Sequence, residues 1–149
     1  MQWFPKLNRR DIWIILGITL AYFVTRLYYL NALPIFVDEA IYSRWSQIAL
    51  QDASWRFISL TDGKQPLFMW TAMPFIKFIS DPLIATRLVS VMSRYLTIIG
   101  LWYAGFLLRH KRDGYFVAAL AVITPYLFFY DRFAVVESML TASGIWLFN

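Results

Sequence analysis

Long runs of apolar residues, separated by short charged clusters, organise this chain. The first runs from about Ile12 to Leu30, after Lys6, Arg9 and Arg10, and matches the ~20 apolar residues that a helix needs to cross a bilayer. The next, Pro66 to Ile79, carries Pro74 inside and Lys77 near its end and is too short to cross comfortably. Leu83 to Leu108 is ample and ends at Arg109-His110-Lys111-Arg112. Gly114 to about Tyr130 follows, and a last run from about Ser138 is still apolar at Asn149. The pattern predicts spans over 12–30, 83–108, 114–130 and 138–149, with a loop over 31–82. Because the last run has only just begun, the chain is expected to be the N-terminal part of a longer one.

The loop has its own periodicity. Pro34 and Asp38 precede a predicted helix from Glu39, with the Asp38 carboxylate placed to cap it. Ile41, Trp45, Ile48 and Ala49 recur at helical spacing, away from Glu39, Ser43, Ser46 and Gln47, so the helix is expected to rest its apolar stripe on a membrane surface. Trp45, Trp55 and Phe57 suit that interface. Ser59 to Gly63 reads as a turn presenting Lys64 before Pro66.

Composition agrees with this partition. Residues are 60% hydrophobic, 19% aromatic and 15% charged, against about 25% charged in soluble domains. The predicted fold class is all-α and polytopic. The first run is longer than a signal-peptide core and no Ala-x-Ala site follows, which favours a retained anchor. The net charge of +5 sits in short clusters flanking apolar runs, a topology signal rather than a nucleic-acid stripe, so no nucleic-acid partner is expected. There is no cysteine, hence neither a disulfide framework nor a thiolate metal site.

Basic clusters belong on the cytoplasmic side. With Lys6–Arg10 and Arg109–Arg112 both inside, an even number of crossings must separate them. The runs 12–30 and 83–108 supply two, so Pro66 to Ile79 is expected to lie along or dip into the outer surface. Asp38, Glu39, Arg44, Lys64, Asp131, Arg132 and Glu137 then share the outer side. Adjacent carboxylates at Asp38 and Glu39, where a span emerges, are costly unless they meet water or a partner. Arg87 and Arg94 lie on one face of their helix and are expected to pair structurally. Arg26 is expected to reach the outer interface, and Arg132 and Glu137 could pair with each other or with Asp131. His110 reads as solvated.

Asp38-Glu39-Ala40-x-Tyr42, then Gly63-Lys64-Gln65-Pro66-Leu67-Phe68, then Arg132-Phe133-Ala134-x-x-Glu137-Ser138-x-Leu140-Thr141 together resemble the N-terminal part of multi-spanning glycosyltransferases. The similar enzymes are protein O-mannosyltransferases and the lipid A aminoarabinose transferase, which have the GT-C architecture. Two positions depart from that pattern. Gln65 stands where the family more often has a second proline, and Glu137 where aspartate is commoner.

The resemblance implies transfer of a sugar from a polyprenyl-phosphate carrier to an acceptor hydroxyl, with inversion, at the outer face. The acceptor class stays open between lipid, protein and glycan, and a divalent cation stays optional, with no metal ligand assigned. Such a displacement needs a base and cations for the departing phosphate. The catalytic residues that the resemblance implies are Asp38, Glu39 and Glu137: Asp38 is the expected base, Glu39 orients the loop or pairs with a cation, and Glu137 approaches Asp38 from the second outer loop. Arg44, Lys64, Arg132 and Tyr42 are the expected substrate-binding residues. A bacterial or archaeal plasma membrane is favoured over the endoplasmic reticulum, and the segment alone is expected to be inactive. A transporter, or a noncatalytic scaffold of the same fold, is the alternative.

Overall fold

The computed structural model describes residues 6–149, and among these the chain is all-helical. In order come α1 (Arg9–Leu27), α2 (Val37–Gln51), two 3-10 turns (Ala53–Trp55 and Ile58–Asp62), α3 (Leu67–Phe78), α4 (Pro82–Leu108), α5 (Lys111–Ile123), α6 (Pro125–Tyr130) and α7 (Glu137–Phe148). Among the described residues α4 alone is both long and apolar enough to cross a membrane. The 19 residues of α1 include Arg9, Arg10, Asp11 and Arg26.

Local chemistry accounts for the boundaries. Asp81 caps α4, its Oδ1 accepting from the amides of Leu83 (2.8 Å) and Ile84 (3.3 Å), and Pro82 occupies the first turn, where a missing N–H costs nothing. The predicted single helix over 114–130 is broken instead, because Thr124 adopts an extended conformation before Pro125, as residues preceding proline do. At 12 residues, α3 is about 18 Å long at a 1.5 Å rise per residue, well short of a span and in keeping with its expected non-crossing role. Gly63, at φ 68°, closes the second 3-10 turn in the left-handed region that favours glycine.

Two clusters form the core. Tyr22 of α1, Val91 and Ile98 of α4, and Ala118, Ala121 and Val122 of α5 pack together. Tyr42, Phe68, Met69, Ala72, Val89 and Ala134 join α2, α3 and α4 to the segment before α7. The α4–α5 hairpin crosses so closely that a Cβ on Gly114 would lie 2.3 Å from the Trp102 carbonyl oxygen. Small residues permit such crossings where no water drives helices together.

The two helical ends of this bundle differ in chemistry. Lys111 Nζ donates to Asp11 Oδ2 at 2.6 Å, which brings the basic clusters at 6–10 and 109–112 to one end, as their charge predicts. At the other end Arg26 Nε donates to Asp131 Oδ2 at 3.3 Å. Arg26 is fully buried in this pair, which corrects the expectation that it reaches the interface.

The packing of α2 adds a contact that its hydrophobic pattern does not predict. Its buried face is Glu39, Tyr42, Ser43, Ser46 and Ala49, whereas Ile41, Trp45 and Ile48 are only half-buried. Ser43 Oγ and Thr86 Oγ1 share a hydrogen bond of 2.7 Å, and Ser46 Oγ donates to the Tyr42 carbonyl at 2.7 Å. Ser43 thus meets α4 from the polar face of α2, where small side chains let two backbones approach while hydroxyls find partners, and Ile41 and Trp45 pack beside the second core cluster.

Candidate functional site

The adjacent carboxylates at the start of α2 have opposite surroundings. The helix begins at Val37 rather than Glu39, and Glu39 performs the capping expected of Asp38, accepting from the Phe36 amide at 3.1 Å. Arg87 closes both arms of a fork on it, Nε to Oε1 and Nη2 to Oε2, each at 2.8 Å. The Ala134 amide adds a bond to Oε1 at 2.7 Å. With every oxygen engaged and no exposure, Glu39 positions the loop by pairing with a cation and has no access to a substrate. Arg87 carries the tie further, donating from Nη1 to the Leu30 carbonyl at 2.7 Å and from Nη2 to that of Leu33 at 3.1 Å. One ion pair therefore fastens the loop after α1, the start of α2, α4 and the segment before α7.

Asp38 is half-buried, and among the described residues its carboxylate has neither a hydrogen bond nor an ion pair. One turn further along the same face of α2, the Tyr42 hydroxyl is buried, with the Lys64 ammonium beside it. Lys64 and Glu137 complete the group: the charges of Asp38, Lys64 and Glu137 all act on the Tyr42 phenol. Burial pushes that phenol above its ordinary range; Asp38 and Glu137 push the same way, and Lys64 opposes them. Lys64 is in turn held above the usual lysine range, chiefly by Tyr42 beside it and then by Asp38 and Glu137. Four groups from three segments, α2, the turn before α3 and the start of α7, thus share one patch at the end opposite the basic clusters. The patch offers an unpaired carboxylate, an ammonium, a phenol and a more exposed second carboxylate.

The remaining expected site residues fall elsewhere. Arg44 is exposed, on a face of α2 turned away from Asp38 and Tyr42. Arg132 donates from Nη2 to the Tyr28 carbonyl at 2.9 Å and also to that of Tyr29. It latches the turn after α1, where Tyr29 has a φ of 47°, and pairs with neither Glu137 nor Asp131. Asp131 instead serves Arg26 and, at 3.6 Å, Arg94. Arg94 also donates to Thr141 Oγ1 at 2.9 Å.

Among the described residues no cluster of three or more His, Asp or Glu side chains is arranged to hold a metal ion. Arg87 as the partner of Glu39 and Ser43 with Thr86 as a helix contact were not foreseen. The only signal for the first was an arginine within an apolar helix, which must find an anion or a carbonyl. No known protein family, curated protein or solved structure matches the chain significantly.

Proposed function

We propose that this chain forms part of a multi-pass membrane glycosyltransferase that uses a polyprenyl-phosphate sugar. The observation that carries the reading is Asp38: an unpaired, half-buried carboxylate grouped with Tyr42, Lys64 and Glu137. Multi-pass insertion draws support from apolar side chains turned outward on helices other than α4, such as Trp13 and Leu20 of α1, Phe116 of α5 and Leu140 of α7. Soluble proteins seldom expose so many large apolar side chains.

In the proposed reaction the Asp38 carboxylate takes the proton of the acceptor hydroxyl. The acceptor oxygen forms a bond to the anomeric carbon from the face opposite the phosphate, so configuration inverts. The bond from that carbon to the phosphate oxygen breaks, and its electron pair leaves with the polyprenyl phosphate. Lys64 meets the developing negative charge as a point cation, and the Tyr42 hydroxyl beside it donates to the same group. Glu39 and Arg87 hold the start of α2 in register, and Glu137 positions rather than reacts.

The test uses the full-length protein in vesicles with a polyprenyl-phosphate sugar, following release of polyprenyl phosphate. Asp38→Asn keeps size and hydrogen bonding but removes basicity, so turnover should fall by about 10² or more with no loss of folded protein. Near-normal turnover of that variant would reject Asp38 as the base. Inability of the folded wild type to consume any such donor would favour the scaffold reading. The transporter alternative draws on buried Arg26, Arg94 and Asp131, charges of a kind that mark ion pathways.

A further inference from the structure

We propose that the basic end of the bundle docks the headgroup of an anionic phospholipid in the leaflet it faces. The proposal rests on the membrane reading above and is independent of glycosyl transfer. Lys6, Arg9, Arg10, Arg109, Lys111 and Arg112 gather at this end against only Asp11 and Asp113. Four of the chain's five net positive charges therefore sit at one pole. Ordinary orientation signals need only a bias of this sign. Here the cations also have a shape: the turn between α4 and α5 forms an open cup of about 730 Å³ lined by Phe106, Arg109, His110, Lys111, Arg112 and Asp113.

Two features make the cup a receptor rather than a solvated tuft. The close approach of Gly105 to Gly114, where an added Cβ would meet backbone at 2.7 Å or less, fixes the turn. Asp11 consumes the charge of Lys111 alone, while Arg109 and Arg112 are exposed, with no ion pair or side-chain hydrogen bond among the described residues. Directly along the helices from the cup, Leu108 and Phe116 are exposed at 84% and 68%. A ligand fitting both surfaces has a phosphate for the cup and acyl chains for the flanks. That is a phospholipid of net negative charge, since a zwitterionic headgroup would bring its own cation to the same arginines.

The experiment measures thermal stability of the purified full-length protein in detergent, with added phosphatidylglycerol or phosphatidylcholine. The expected result is a larger stabilisation by phosphatidylglycerol that shrinks as salt rises. In the double variant Arg109→Gln, Arg112→Gln the apparent affinity for phosphatidylglycerol should fall roughly tenfold or more, and Arg109→Lys, Arg112→Lys should retain most of it. An undiminished preference in the glutamine variant, or equal stabilisation by the two lipids, would overturn the proposal. Release of the protein from membranes by alkaline carbonate would instead remove the membrane reading beneath it. Loss of sugar transfer by Asp38→Asn bears on neither result.

Discussion

Glu39 and Arg87, 48 residues apart in sequence, meet as a fully buried two-armed ion pair with both arms at 2.8 Å. Desolvating two charges is costly, and the pair offsets this only because the Ala134 and Phe36 amides and the Leu30 and Leu33 carbonyls satisfy what remains. Removing one partner strands the other. Glu39→Gln or Arg87→Gln is therefore expected to destabilise the protein by about 3–5 kcal/mol, read as a lower unfolding temperature in detergent. Replacing both with apolar residues of similar volume should recover only part of the loss, because the Ala134 and Phe36 amides and the Leu30 and Leu33 carbonyls then lose their partners, and a single-variant loss below about 1 kcal/mol would contradict the structural role.

Tyr42 and Lys64 supply a pH dependence whose sign follows from their surroundings. Both groups titrate above their ordinary values in the folded chain, Tyr42 chiefly through burial and Lys64 chiefly through Tyr42. The folded state therefore holds its protons more tightly than the unfolded state does. The stability they contribute is complete at neutral pH and is lost as pH rises beyond about 10, where unfolded tyrosine and lysine begin to deprotonate. Unfolding temperature should decline over that alkaline range. In Tyr42→Phe the decline should be shallower, because the phenol whose proton the folded state retains is gone. A steeper alkaline decline in Tyr42→Phe would show that the phenol is not the responsible group.

The apolar runs and the basic clusters were legible in the sequence because each obeys a local rule: length for a span, charge for an end. Asp38, Tyr42, Lys64 and Glu137 were also nameable, through three short motifs rather than any local rule. The pairing of Glu39 with Arg87 was not legible, since nothing near either residue specifies a partner 48 positions away. The burial of Ser43 and Ser46 was not legible for a related reason. Hydrophobic periodicity ranks Ile41 and Trp45 above Ser43 and Ser46, but a close helix crossing selects small side chains whose hydroxyls find bonds, as Ser43 does with Thr86. The break at Thr124 has a local signal in Pro125, which outweighs the unbroken apolarity of the run.

The ion pair of Asp11 with Lys111 places the two basic clusters together, and the proposed insertion makes that end cytoplasmic. The chain has no cysteine, so single cysteines report sidedness cleanly. Cysteine at Asp62 is expected to react with an impermeant reagent in intact cells, and cysteine at Arg112 only after the membrane is disrupted. The reverse pattern would invert the topology, and reaction of both in intact cells would show that the two ends are not on opposite sides.

Lys64 and Glu137 act on the same phenol from opposite signs of charge, and the proposed reaction assigns them unequal importance. The departing phosphate gains negative charge as its bond to the sugar breaks, so a cation beside it stabilises the transition state more than the bound donor. Lys64→Met should therefore lower kcat as well as kcat/KM, by about 10² to 10³ on the scale of a lost charge-stabilising donor. Glu137→Gln keeps the shape of the side chain and removes a charge from a more exposed position, so its effect should be smaller than that of either Lys64→Met or Asp38→Asn. Steady-state kinetics on the three variants, compared at equal amounts of folded protein, provide the check. A Lys64→Met enzyme altered only in KM would mean that the lysine binds donor and transition state alike. A Glu137→Gln enzyme as impaired as Asp38→Asn would make Glu137 a participant in the proton transfer and displace the single-base assignment.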